Sequence, residues 1–115
     1  MQAPAIEFDG KIIVESANIM MFLEEQYPEK RALLPLLPLD RYKARVAIEE
    51  CSQKLALLFY NILIYQSRAS ELHPLLLQEL RRIDAQLRFN STTGPYWWGE
   101  QFTMVDIAYF PFIDR

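Results

Sequence analysis

Cysteine, histidine and glycine are scarce in this chain: its 115 residues hold one, one and three of them. A lone Cys51 excludes an internal disulfide framework and any Cys-rich zinc site, so a reducing cytoplasm is the expected setting. Positive charge is not in surplus either. Twelve Lys and Arg stand against fifteen Asp and Glu, a formal net charge of −3. With no long basic run, neither nucleic acid nor an anionic membrane surface is expected as a partner. Long apolar runs are missing too. The most apolar stretch, Leu55 to Tyr65, is interrupted by Asn61 and falls far short of the roughly 20 residues that cross a bilayer. Met1 to Glu7 shows no basic-then-apolar leader, so no signal peptide is expected, and the sequon Asn90-Ser91-Thr92 is read as chance.

What is present is the balance of a folded domain, 51% apolar and 23% charged, which excludes disorder and low-complexity chains. Residues 5–14 read as a β-hairpin. Ala5-Ile6-Glu7-Phe8 and Lys11-Ile12-Ile13-Val14 flank Asp9-Gly10, the dipeptide that supplies the left-handed positions of a tight turn. Ser16 is the expected N-cap of a helix whose apolar stripe is Ile19, Met20, Phe22, Leu23 and Tyr27, with Glu24 and Glu25 on the other side. Pro28 ends that helix. Pro28, Pro35 and Pro38 among leucines then read as a linker held on a surface.

From Asp40 the spacing of Ala44, Ile48, Cys51, Leu55, Leu58 and Ile62 predicts a long helix. Extra apolar residues at Leu57, Phe59, Leu63 and Ile64 predict that its second half is buried nearly all round. The break is expected at Arg68–Leu72, and a further helix opens at His73-Pro74, buried through Leu76, Leu77, Leu80, Ile83 and Leu87. A loop from Asn90 leads to Tyr96-Trp97-Trp98-Gly99. Thr103 and Asp106 then form a capping box for a last helix, a structural rather than chemical pair, with Phe102 and Ile107 at the staple positions. Tyr42, Arg45, Tyr96, Trp97 and Trp98 could line an apolar pocket, though packing is the plainer reading. His73 has no acidic or Cys neighbour to share a metal with. No metal site is expected.

Taken in order, these landmarks resemble the cytosolic glutathione transferase family, and more loosely its omega-like and related thiol-transferase branches. The residues that carry the resemblance are Ala3-Pro4-Ala5-Ile6-Glu7, Asp9 through Ile19, Phe22 through Pro28, Leu33-Leu34-Pro35 and Phe102 through Ile107. The implied fold class is α+β, mostly α: a partial thioredoxin-like piece, hairpin plus helix, followed by part of an all-helical domain. The implied division is 1–28 for the remnant of the glutathione-binding domain, 29–39 for the linker, and 40–115 for the first three helices of the all-α domain.

The resemblance covers nearly the whole chain but only about the middle half of a typical member. It lacks the strand, helix and strand that carry the family's catalytic Tyr, Ser or Cys, and the last helices. It implies a truncated protein, inactive alone, with no catalytic residue of its own, since Cys51 sits mid-helix on an apolar stripe.

Glutathione is the implied co-substrate, with no metal. Its γ-glutamyl end carries an ammonium and a carboxylate. Ser16, with a hydroxyl beside the free N–H groups and positive dipole of a helix start, suits the carboxylate. Glu15 suits the ammonium. Pro4 resembles the family's cis-proline, and Ala3, where Val is usual, the residue whose backbone pairs with the cysteinyl part. In the enzyme reading an ionised glutathione thiol attacks an electrophile or a mixed disulfide. A competing reading is a non-catalytic interaction or scaffolding module. A two-stranded hairpin is marginal by itself, and the set Ile6, Phe8, Ile12 and Val14 exceeds what one short helix covers. A homodimer, or the missing segment supplied in trans, is therefore the expected partner.

Overall fold

The computed structural model describes residues 3–30 and 32–114. Met1, Gln2, Arg31 and Arg115 lie outside the described residues, and with them the outer ends of the expected divisions 1–28 and 40–115 and one linker position. β1 (Ala5–Phe8) and β2 (Lys11–Val14) pair antiparallel, Ala5 with Val14 and Phe8 with Lys11. Asp9 and Gly10 make the reversal, with φ of 50° and 76°, the left-handed pair that the strand twist demands of a two-residue turn.

Paired residues share a face, so Ile6, Phe8 and Ile13 lie on one side and Ile12 and Val14 on the other. The expected apolar set of Ile6, Phe8, Ile12 and Val14 therefore mixes two faces. α1 (Ser16–Gln26) covers the first, where Phe22 meets Phe8 edge-on at 5.1 Å between ring centres. The second remains open, Ile12 being 58% and Val14 40% exposed.

The helical part begins with α2 (Pro38–Glu50), two residues earlier than expected, with Pro38 at the first position, where its missing N–H costs nothing. Right-handed helical backbone continues through a π-helical segment, Cys51–Ala56, into α3 (Leu57–Ile64). The wider π turn shifts all later side chains around the axis relative to the upstream stripe. Ala44, Ile48, Cys51 and Leu55 are buried accordingly, whereas α3 buries none of its residues. This overturns the expectation of a second half buried all round: Leu57, Leu63 and Ile64 are 55%, 54% and 68% exposed.

The break also falls earlier than expected, at Tyr65 and a single 3-10 turn, Gln66–Arg68, followed by α4 (Ala69–Asn90). His73-Pro74 thus lies inside α4 rather than at its start. The ring of Pro74 frees the carbonyl of Ser70, but Ser70 is exposed, and water can satisfy it. Leu72 and Ile83 are buried, while Leu77, expected on the buried face, is 49% exposed. α5 (Met104–Ile113) closes the described chain. One core joins Leu34, Ala44, Ala47, Ile48, Cys51, Leu55, Ile83, Trp97, Met104, Val105 and Tyr109, with Ala17, Met20 and Met21 of α1 packed partly against it.

Candidate functional site

The hairpin register sets the site. Because Ala5 pairs with Val14, the residues one step further on, Pro4 and Glu15, emerge at the same open end of the ribbon. Glu15 is the turning point. Its φ of 69° and ψ of 118° are left-handed, which a non-glycine residue rarely adopts, and they swing the chain from strand into helix within one residue. Glu15, and not Ser16, holds the N-cap position of α1, and its carbonyl accepts the Ile19 N–H at 2.9 Å. Ser16 is the first helical residue. Among the described residues no side chain caps this helix start, so the N–H groups of its first turn face outward with the positive end of the helix dipole. Ala3, Pro4, Glu15 and Ser16 are all exposed, and the Ala3–Pro4 peptide is cis. The residues at the open end of the hairpin thus form one accessible corner that offers a carboxylate, a hydroxyl and, among the described residues, helix N–H groups with no side-chain cap.

The expected capping box is also in place. The Thr103 N–H donates to Asp106 Oδ2 at 2.8 Å, and the reciprocal half of the box is present. Asp106 does more than cap: its Oδ1 accepts the Trp97 N–H at 2.8 Å, which fastens the aromatic loop to α5. Trp97 then lies flat on Tyr109, with ring centres 4.9 Å apart. Trp97 is thus packed into the core and, together with Tyr96, still lines an apolar cleft of about 650 Å³ against α4 and α5. Tyr42 and Trp98 border a small cleft of about 280 Å³ between α2 and α4, which Arg45 does not line.

No protein-family model matches the sequence. It is similar to the probable maleylacetoacetate isomerase 2 of Drosophila melanogaster, 32% identical over 117 residues that cover 96% of this chain and 49% of that protein. It is also similar to glutathione S-transferase 3 of Glycine max, 28% identical over 95% of this chain and 48% of that one. Its fold matches the crystal structure of glutathione transferase Omega 3C from Trametes versicolor, with a TM-score of 0.86 and 32% identity over 99% of this chain and 51% of the other. The chain belongs to the glutathione transferase family. It spans about half the length of the curated relatives it matches.

Within this transferase-family chain, Cys51 is buried in the helical core, whereas the corner residues are exposed. Its thiol donates to the Ala108 carbonyl at 3.4 Å. Burial foremost, and the Glu79 carboxylate next, push that thiol up to about 12, so at neutral pH it is no nucleophile. The Tyr109 hydroxyl is likewise pushed up to about 12, chiefly by burial and then by Cys51. His73 is exposed on α4. Among the described residues no cluster of His, Cys, Asp or Glu could hold a metal ion, and no helix is long and apolar enough to cross a membrane.

Two residues escaped the sequence reading. Gly94 faces the Gly99 carbonyl so closely that a Cβ would run into it, and the Gly94-Pro95 pair was its only signal. Glu24, read as lying on the other side from the apolar stripe, turns its carboxylate to the linker and accepts the Leu33 and Leu34 N–H groups at 3.0 and 3.2 Å. No pattern in the sequence marks it.

Proposed function

We propose that the corner is the γ-glutamyl subsite of a glutathione-dependent transferase or thiol reductase. In this reading the glutathione α-carboxylate sits on the Ser16 hydroxyl and the free N–H groups of the first turn of α1. The Glu15 carboxylate holds the ammonium, and the backbone of Ala3, before Pro4, pairs with the cysteinyl unit. The observation that carries it is the left-handed turn at Glu15. That turn sets an acceptor and an uncapped helix start side by side, where a zwitterionic α-amino acid end needs both signs within a few ångströms. The family uses glutathione as co-substrate and usually forms dimers, which supports the same reading.

We further take 1–28 as the glutathione-holding part, 29–39 as the linker and 40–115 as the first three helices of an all-α domain, acting in the cytoplasm. The exposed side chains of Ile12 and Val14 support a second copy of the chain over the open face of the hairpin. Cys51, protonated and buried, supplies no thiolate to the reaction.

Calorimetric titration of the chain with glutathione tests the site. Saturable binding is expected, weakened about ten- to a hundredfold by Ser16→Ala, since a hydrogen bond to a charged group is worth roughly 1.5–3 kcal/mol. The melting temperature should not move, because Ser16 is exposed and caps nothing. Equal affinity in the variant, or no saturable binding by the chain, refutes the assignment.

A further inference from the structure

The helix that starts at the corner is thinly anchored. Of its side chains only Ile19 is buried, and between α1 and α5 the apolar contact is loose: Met20, Leu23, Tyr27, Leu33, Met104 and Ile107 surround a groove of about 510 Å³ instead of closing on one another. What spans that gap is a polar stitch. Glu24 Oε1 takes the N–H groups of Leu33 and Leu34, and on the other side of the same linker residue the Leu33 carbonyl takes the N–H of Met104, the first residue of α5, at 2.9 Å.

Met104 and Leu34 are 1% and 2% exposed, so the linker and the α5 end of the stitch are set in the core, while Glu24 is half-buried. A charged acceptor with two backbone donors is stronger and more directional than the side-chain contacts around it. Eight residues of helix, roughly 12 Å at 1.5 Å per residue, connect Glu24 rigidly to Ser16.

We propose that Glu24 is a positioning residue for the glutathione corner. Its carboxylate holds α1 at a fixed angle to α5 through the Leu33–Leu34 backbone, and so fixes where the Ser16 end of the helix points. This rests on the glutathione reading given above. Binding sites lose affinity when the supporting contacts of the ligand-touching groups are left loose by even fractions of an ångström. Glu24 touches no ligand. It acts through the helix.

Three variants separate reach from charge in the full chain. Glu24→Ala removes the acceptor, Glu24→Asp keeps the charge one methylene too short, and Glu24→Gln keeps a carbonyl oxygen at full reach. Glutathione affinity should fall about fivefold in the Ala and Asp variants and about twofold in Gln, which keeps a weaker, neutral acceptor at full reach. Hydrogen exchange should speed up about tenfold at Leu33, Leu34 and Met104 in the same two variants. Exchange decides the stitch without any ligand: faster exchange confined to Leu33 and Leu34, with Met104 unchanged, refutes it. If the parent chain binds no glutathione, the corner reading fails while the exchange result still judges the stitch. If the parent binds and the Asp variant binds equally well, positioning by Glu24 is wrong and the corner stands.

Discussion

Between Ala5 and Gln26 the one buried side chain is Ile19, whereas the six residues Cys51–Ala56 alone bury Cys51, Leu55 and Ala56. The first region is shaped by backbone geometry: a two-residue reversal at Asp9-Gly10, a left-handed Glu15, and a carboxylate stitch at Glu24. The second is shaped by packing of α2, α4 and α5 around a shared set of apolar side chains. Ligand-binding elements are drawn from the less stable parts of proteins, because groups that must remain accessible cannot also be buried. The corner proposed for glutathione would follow that rule, with its placement set through the Glu24 stitch to the core.

The sharpest way to break this contrast is to cut side chains of equal size in the same rod. Leu55 is 1% exposed and Leu63 54%. Leu55→Ala should lower the unfolding free energy by about 2–5 kcal/mol, the lost transfer energy plus a cavity. Leu63→Ala should stay within about 0.5 kcal/mol. Urea unfolding followed by helical circular dichroism measures both, and similar losses would mean that α3 is covered after all.

Next in size is Asp106. Asp106→Ala removes the cap of α5, worth about 1 kcal/mol, and leaves the buried Trp97 N–H without its acceptor, a further 1–3 kcal/mol or so. The total should be about 2–4 kcal/mol, with a change in Trp97 fluorescence as the aromatic loop loosens. Asp106→Asn, with one acceptor oxygen left, should recover part of it. A loss no larger than that of an ordinary helix cap would show that the bond to Trp97 contributes nothing to the core.

How much of this was legible in the sequence follows the same division. Features set by local backbone chemistry were readable: Asp9-Gly10 announced the hairpin and its register, and Thr103 with Asp106 announced the start of α5. The family resemblance drawn from these landmarks agrees with the fold and the relatives. Features set by what packs on what were not. The apolar run through α3 looked like core because a sequence shows hydrophobicity but not whether a second element faces it, and the π-helical segment that turns this face away has no composition of its own. Pro74 looked like a helix start since that is where proline is cheapest, yet an exposed first turn tolerates it inside α4. Where the hairpin meets α1, Ser16 was read as the N-cap, but the cap falls one residue earlier, on Glu15. Glu24 was invisible, because its partners are backbone amides nine and ten residues on and amides carry no sequence signature.

The smallest expected effect tests the corner's side of the contrast. Gly10 has φ of 76° and open space where a Cβ would go, so Gly10→Ala meets no clash and feels only the cost of a left-handed backbone, about 1–2 kcal/mol for an L-residue. Since α1 and the hairpin add little to the core, that cost should fall on local opening instead of global unfolding. Exchange at the β1 and β2 amides should rise about tenfold while amides of α2 and α4 and the urea midpoint remain where they were. Loosening of the ribbon also lets Pro4 drift from Glu15, so glutathione affinity should drop slightly with it. If the urea midpoint falls instead, hairpin and core unfold as one unit, and the corner owes its shape to packing after all.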